Sequence, residues 1–450
     1  MKEIIPQKLI ELAQKLNKEL YVVGGTCRDY IAGLSSDYDD WDICAAAGAD
    51  EVCAAAESAG FEVKAVYKRT GTLQLRAGGH DYEYTCFRTD RYVRGAHSPE
   101  EVYFTDDISL DARRRDFKCN AVYYAVKEGK FVDPLGGIED CKRKVLSTVA
   151  PAEKVFGEDG LRLMRLCRIA AQTGFTPTEQ CVGGATVNAQ LIDDIAAERV
   201  RKELELILDA DGKYGVTGGQ YAGLKLLHRI KVLERILPEL TAGDKMEQRG
   251  DFHSYDVLEH SLRCVLYAPQ RIRLAALLHD VGKPYCKNTT GKFTFHEVEG
   301  ARIAGEICAR LRVSKRETER VCQLVRLHMY DLTLQAGENK VRKFIVAHQD
   351  VLDDLLLLKQ ADFSACKDDL TPAPCVAKWK GIIAKMQSEG VPFTIKQLYV
   401  RGDELIAAGV EKSDAGKALL YLLGECAVDA RLNVKEKLIK SALSHFSANL

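Results

Sequence analysis

No stretch of this chain approaches the ~20 consecutive apolar residues of a membrane-crossing helix, so no membrane span is expected. None of the fifteen cysteines stands in a CxxC pair. That argues against a zinc site and for buried, reduced thiols in a cytoplasmic protein. Residues 1–16, MKEIIPQKLIELAQKL, are amphipathic but lack the apolar core and cleavage site of a signal peptide, and read as a first helix. Positive charge is not in surplus either: 64 Lys and Arg against 65 Asp and Glu leave a net charge of −1. An RNA partner would therefore need basic residues gathered on one surface. Tandem repeats and low-complexity segments are also missing.

What is present is a chain of 450 residues, 46% apolar and 29% charged. That balance is globular, and the length predicts roughly two to four domains. The most informative stretch, residues 22–42, reads VVGGTCRDYIAGLSSDYDDWD. A strand over 21–23 stops at Gly24-Gly25, where backbone N–H groups and the Arg28 guanidinium can hold phosphate oxygens. Asp40 and Asp42 stand two apart on the next strand and project from one face. Two carboxylates beside a phosphate cradle can hold Mg²⁺ while it bridges a nucleoside triphosphate, which predicts a nucleotidyl-transfer site. Asp37 and Asp39 form a rival pair.

A helix is predicted over 50–59 and strands over 61–67 and 72–76. Residues 80–88, HDYEYTCFR, alternate, with Tyr82, Tyr84 and Cys86 on one face and Asp81, Glu83 and Thr85 on the other. Glu83 is thereby a candidate third carboxylate, helping to deprotonate an attacking hydroxyl. Residues 156–175, FGEDGLRLMRLCRIAAQTGF, predict a helix with Leu161, Met164, Ile169 and Ala171 on its apolar face. On such a helix Asp159 neighbours Arg162 at i,i+3, and Glu158 neighbours Arg162 at i,i+4. Cytosine and adenine present an exocyclic NH₂ donor beside a ring-nitrogen acceptor, whereas uracil and guanine reverse that order. An Asp acceptor next to an Arg donor therefore complements C and A and leaves polar groups unpaired against U and G. Glu158 would orient Arg162 without touching the base.

Five of the ten histidines fall at His253, His260, His279, His296 and His328. The His279-Asp280 doublet is flanked by Leu277-Leu278 and closed by Gly282-Lys283-Pro284. A buried polar doublet in an apolar helix needs a partner, which a metal ion provides.

GGxxRD followed by DxDI resembles the nucleotidyltransferase head of the class II tRNA nucleotidyltransferase and bacterial poly(A) polymerase family. The resemblance runs along nearly the whole chain. DARRRDFKCN at 111–120 resembles the family's second motif and FVDPLGGIED at 131–140 its DPxGGxxD element. EDGLR at 158–162 is similar to the EDxxR motif, in which the protein itself is the template, and residues 195–208 to the ERxxxE element. YDVLEH, LLHDVGKP, FHEVEGA, VRLH and KQADFSA resemble an HD-type metal phosphohydrolase domain.

The resemblance implies an α+β fold. A nucleotidyltransferase head with a small mixed sheet would occupy 1–148, a helical neck and body 149–250, an HD domain 251–367 and a helical tail 368–450. It favours Asp40 and Asp42 for Mg²⁺, because Ile43-Cys44-Ala45 continues as the family's buried strand. The loop after Gly33 is longer than usual, however, which keeps Asp37 and Asp39 open. Arg114 and Arg115 would meet the triphosphate with Gly24, Gly25 and Arg28. Asp116 and Asn120 would read the ribose hydroxyls, and Arg165 and Arg168 would lie deeper, near the triphosphate or the RNA end. Glu198, Arg199 and Glu203 would brace the neck, and 212–219, GKYGVTGG, would be a loop. In the HD domain His260, His279, Asp280 and Asp362 would form the core metal site. His296 and His328 would be extra ligands allowing a second metal, the mixed imidazole and carboxylate set suiting Mn, Fe, Ni or Mg better than structural zinc, and Lys283 would lie near a phosphate. Gly402-Asp403 and residues 435–440 are candidate tRNA contacts.

The implied activity is addition of C, C and A from CTP and ATP to the tRNA 3′ end, with release of pyrophosphate, by a cytoplasmic monomer or homodimer. The polar loop over 89–102, present at full length, favours the complete CCA reaction. Addition of CC or A alone and poly(A) synthesis are the narrower alternatives. An HD phosphohydrolase with an RNA-binding head is the alternative of another class.

Overall fold

The computed structural model describes residues 1–34, 38, 40–91, 100–248 and 250–446, with Asp40 described through its backbone alone. Asp37, Asp39 and the centre of the 89–102 loop lie outside the described residues. The chain divides into two units, Met1–Thr241 and Ala242–Leu450.

The first unit is built on strands whose faces follow period-two alternation. They are β1 (Tyr21–Val22), β2 (Asp40–Ala45), β3 (Glu62–Tyr67), β4 (Thr72–Ala77), β5 (His80–Cys86), β6 (Arg88–Arg91), β7 (Glu101–Phe104), β8 (Tyr123–Ala125) and β9 (Lys130–Val132). Seven form one sheet in the order β3-β4-β5-β2-β1-β8-β9. Its β2–β5 pair is parallel and its other pairs antiparallel, so the sheet is mixed, as expected. Leu73, Leu75 and Ala77 of β4 and Tyr82, Tyr84 and Cys86 of β5 point into a core shared with Trp41 and Ile43 of β2. Leu9 and Leu12 of the first helix, Gln7–Lys15, close that core from outside. The opposite face carries Gln74, Arg76, Asp81 and Glu83, all exposed. This is the division expected of a half-buried sheet.

Three local expectations need correction. Residues 156–175 do not make one helix. A helix over Ala152–Glu158 ends, Asp159 is extended (φ −143°, ψ 109°), and a new helix runs over Leu161–Thr173. Asp159 therefore precedes the helix that carries Arg162, and its carboxylate accepts a hydrogen bond from the Leu161 N–H at 2.8 Å. This satisfies an orphan donor of the helix start. Gly160 lets this junction press against the Leu191 carbonyl, where a Cβ would collide. Residues 212–219 are not all loop, since a short helix spans Ala210–Tyr214 before Gly215 turns left-handed. The ends of the 89–102 segment are paired as a β6–β7 hairpin, because Arg88–Arg91 and Glu101–Phe104 can exchange ladder hydrogen bonds.

In the second unit the named elements are helical. Val257–Tyr267, Arg273–Leu278, Lys283–Thr290, His296–Arg310, Lys315–Leu327 and Leu352–Lys367 carry or adjoin the clustered histidines. His279-Asp280 is at the end of the Arg273–Leu278 helix rather than inside it. Among the described residues no helix is long and apolar enough to cross a membrane. All fifteen cysteines are free thiols, and only Cys53, Cys322 and Cys366 are not fully buried.

Candidate active site and candidate metal centre

In the parallel β2–β5 pairing Asp42 stands directly opposite Glu83, and Asp40 opposite Asp81. Asp42 and Glu83 are exposed, on the face away from Trp41 and Tyr82. The β2 alternation gives Asp40 the same face at its backbone position. Beside them the chain turns at Gly24, whose φ of +79° is left-handed and whose missing Cβ would lie 2.6 Å from Asp42 Oδ2. Only glycine fits both demands. Gly25 then begins the helix Gly25–Ala32, which carries Arg28.

A cleft of about 1160 Å³ opens onto this edge. It brings together Gly24, Gly25, Arg28, Asp42 and Glu83 with Arg114, Arg115, Asp116, Asn120, Asp159, Arg162, Arg165 and Arg168. Of the expected head residues, Glu158 is off the cleft wall and the Asp40 side chain lies outside the described residues.

The basic residues are held by acids, of which Asp111 and Asp29 were given no role by the sequence and Asp116 and Glu203 were given others. Asp111, fully buried, takes the Arg114 Nε–H at 2.7 Å, the Arg115 Nη2–H at 3.1 Å and the Tyr123 hydroxyl at 2.7 Å. Burial alone would raise its carboxyl, but the Arg115 and Arg114 guanidiniums and these hydrogen bonds hold it down at about 2. The i,i+3 and i,i+4 spacing of Asp111 to the two arginines is the sequence signal for this brace. Asp116 accepts from Asn120 Nδ2 at 3.1 Å and from Arg165 Nε at 2.7 Å. Despite its burial, Arg165 keeps Asp116 well below the usual carboxylate range. Arg28 is buried rather than open to the cleft along its length. Its Nε–H donates to Asp29 Oδ1 at 2.8 Å and its Nη1–H to Asn120 Oδ1 at 2.9 Å. Tyr214 donates its hydroxyl to Asp29 at 2.5 Å. It lies in the segment expected as loop, nearly two hundred positions away, and no local pattern marks that contact. Arg168 donates to Glu203 at 2.6 Å, so Glu203 holds a cleft residue.

Arg162 is fixed on three sides. It donates to the Val155 carbonyl at 2.9 Å, to Glu158 Oε2 at 3.0 Å and to the Arg114 carbonyl at 2.7 Å. Glu158 thus contacts Arg162 from the preceding helix, across the break at Asp159.

In the second unit six residues converge. His260 Nε2 lies 3.0 Å from Asp362 Oδ1 and 3.2 Å from His279 Nε2. His279 Nε2 is 3.3 Å from Asp280 Oδ2. His296 Nε2 and His328 Nε2 approach Asp280 Oδ1 at 3.2 and 3.7 Å, yet neither nitrogen makes a hydrogen bond among the described residues. His279, His296 and His328 each place Nδ1 2.6–2.8 Å from a carbonyl three residues back: Ala276, Phe293 and Val325. Nδ1–H donation there leaves the Nε2 lone pair facing inward, the tautomer of a metal-ligating imidazole. Two ligand sets result, His260 with His279 and Asp362, and Asp280 with His296 and His328, all buried. Imidazole and carboxylate donors fit a divalent cation, and the unpartnered Nε2 atoms are what such an ion would satisfy. Lys283 reaches Asp280 at 2.6 Å from the side.

Three family models match the chain. The poly A polymerase head domain covers residues 20–147, the HD domain 251–355, and the probable RNA and SrmB-binding site of polymerase A 174–243. An A-adding tRNA nucleotidyltransferase of Deinococcus radiodurans is 33% identical over 77% of this chain and 76% of its own. A CCA-adding enzyme of Lactiplantibacillus plantarum is 35% identical over 47% of this chain, and that match spans about half of the relative, 49%. Among solved structures, the Bacillus stearothermophilus CCA-adding enzyme in complex with CTP superposes with a TM-score of 0.67. At 21% identity it covers 98% of this chain and 97% of its own, which is a likeness of fold.

Proposed function

This chain belongs to the tRNA nucleotidyltransferase and poly(A) polymerase family, and from that premise we propose that it adds C, C and A to the 3′ end of tRNA. The donors are CTP and ATP, and the product of each step is pyrophosphate. The observation that carries the reading is one cleft holding the Asp42–Glu83 pair, the braced arginines and the Asp159/Arg162 pair.

Asp42 and, from its place two residues earlier on the strand, Asp40 would hold Mg²⁺, which when bound would neutralise charge on the triphosphate and acidify the attacking hydroxyl. The tRNA 3′-hydroxyl attacks the α-phosphorus, the bond to the bridging oxygen of the β-phosphate breaks, and pyrophosphate leaves. Glu83, opposite Asp42, takes up the hydroxyl proton. Arg114 and Arg115, pre-set by Asp111, hold the triphosphate without reorganising during the step. Asp116 and Asn120 face the ribose, and Asp159 with Arg162 selects C and A. Arg165 and Arg168 extend the basic wall toward the RNA end, which a neutral chain needs in one place to meet a polyanion. We place the head at 1–148, the neck and body at 149–250, the HD domain at 251–367 and a tRNA-binding tail at 368–450. The reaction is assigned to the cytoplasm, in line with fifteen free thiols.

The second unit is proposed as a metal-dependent phosphohydrolase acting on phosphomonoesters or cyclic phosphodiesters, supported by its two buried ligand sets. The narrower reading, addition of A alone, is favoured by the name of the Deinococcus relative.

The deciding experiment supplies tRNA ending at the discriminator base, at C and at CC, with each nucleotide singly and together. Growth through CCA that stops there and ignores UTP and GTP supports the proposal. Extension of the CC-ended substrate alone establishes the A-adding activity, and a halt at CC the CC-adding one. No incorporation on any substrate overturns the head assignment.

A further inference from the structure

The histidine cluster has two neighbours, His253 and Cys366, that its ligand sets do not use. His253, His260 and Cys366 bring one donor atom each to within 4.8 Å of one another. His253 lies in the segment before the helix Val257–Tyr267, and Cys366 sits one turn beyond Asp362 on the helix Leu352–Lys367. The two segments are stitched together. The Ser254 N–H donates to the Cys366 carbonyl at 2.9 Å, and the Lys367 ammonium to the Asp251 carbonyl at 2.7 Å. The His253 ring stands edge-on to the His260 ring, centroids 4.8 Å apart.

Among the cluster's four histidines His260 is the exception. Its Nδ1, in a fully buried ring, makes no hydrogen bond, whereas the other three place that atom on a carbonyl. His253 Nδ1 is likewise buried and, among the described residues, without a hydrogen-bond partner. Two unpartnered imidazole nitrogens next to a thiol leave polar groups whose burial costs free energy unless something joins them.

We propose that His253, His260 and Cys366 form a binding site for a borderline-soft divalent cation such as Zn²⁺. It is distinct in chemistry from the imidazole–carboxylate sets alongside. A thiolate with two imidazoles suits zinc or cobalt and disfavours magnesium and manganese. The site uses a single cysteine, so it is not the paired-cysteine zinc site that the lack of CxxC spacing argues against. Coordination releases the Cys366 thiol proton to solvent. The proposal is independent of nucleotidyl transfer, and it shares His260 with one of the imidazole–carboxylate sets.

The test uses the full-length chain, stripped with chelator and titrated with Co²⁺. One equivalent is expected to produce a near-ultraviolet thiolate-to-cobalt charge-transfer band, and zinc to remove it. Cys366→Ser is expected to abolish the band and His253→Gln to weaken binding, with the far-ultraviolet circular dichroism of both unchanged. Asp280→Asn combined with His296→Ala, which disables one of the other ligand sets, is expected to leave the band in place. A wild-type chain without the band, a band that survives Cys366→Ser, or one lost in the Asp280/His296 variant with Cys366 intact overturns the proposal.

Discussion

Gly24 and Asp42 are fitted to each other: the backbone of Gly24 passes so close to the Asp42 carboxylate that a Cβ would stand 2.6 Å from Oδ2. The contact is fixed by the ladder, because the Val23 N–H donates to the Asp42 carbonyl at 2.9 Å. Gly24→Ala is therefore expected to act on activity far more than on folding. At φ +79° and ψ −140°, outside the left-handed helical well, a side chain costs about 1–3 kcal/mol, a fall in melting temperature of roughly 2–12 °C at about 2–4 °C per kcal/mol. Displacing the carboxylate by even ~1 Å costs about 10²-fold in rate. Single-turnover incorporation and thermal unfolding, measured on one preparation, separate the two. A variant with full activity would show that Asp42 does not have to hold this position.

Asp111 should set a pH dependence as well as an arginine geometry. Its carboxyl is held near 2 against an ordinary 3.8. A depressed folded-state value means stability that is present above pH ~4 and is lost as pH falls through about 2. Asp111→Asn is expected to destabilise the protein by about 2 kcal/mol at neutral pH, with the gap from wild type closing between pH 4 and pH 2. It should also raise KM for the nucleoside triphosphate, since Arg114 and Arg115 lose their common brace. Denaturant unfolding at pH 7, 4 and 2.5 checks the first claim. Initial-rate kinetics check the second.

Much of this could be read from the chain, for identifiable reasons. The Asp81/Glu83 face of β5 followed from strict alternation, and Gly24-Gly25 from the abrupt end of an apolar strand. Segments with one dominant period declare themselves. The break at Asp159 did not, because its i,i+3 and i,i+4 pairs suit a continuous helix; the packing of Gly160, where a Cβ would meet the Leu191 carbonyl, is non-local and carries no sequence mark. Tyr214 was invisible for the same reason. Its role is a hydrogen bond to Asp29, 185 positions away, and a tyrosine beside glycine carries no local mark of that. The inward Nε2 orientation of the histidines likewise depends on carbonyls that only the turn geometry of each helix end presents.

Base selection should depend on Glu158 at second hand. Glu158 contacts Arg162 but is not part of the cleft wall, so Glu158→Gln is expected to keep incorporation going while loosening its fidelity. Arg162 retains the Val155 and Arg114 carbonyls as acceptors, so the loss should be partial. About 1.4 kcal/mol of lost orientation would raise the UTP and GTP rates relative to CTP and ATP by roughly tenfold. Arg162→Ala should remove the discrimination and most of the activity together. Competition assays with paired nucleotides give the ratio directly. An unchanged ratio in Glu158→Gln would mean that the two carbonyls alone orient the guanidinium.

The histidine cluster should register metal as stability. His296 and His328 each hold an Nε2 with no hydrogen bond beside Asp280, and an ion bound there binds the folded state only. At a hundredfold excess over its dissociation constant, such a ligand stabilises by about 2.7 kcal/mol. Mn²⁺ added to chelator-treated protein is therefore expected to raise the unfolding temperature of the second unit, and Asp280→Asn to abolish the rise. The same variant should add nucleotides at the wild-type rate, because the residues proposed for transfer all lie in the first unit. Scanning calorimetry with and without Mn²⁺, paired with an incorporation assay, reads both. A manganese shift that persists in Asp280→Asn would place the ion elsewhere, and a loss of incorporation would show that the two chemistries are coupled.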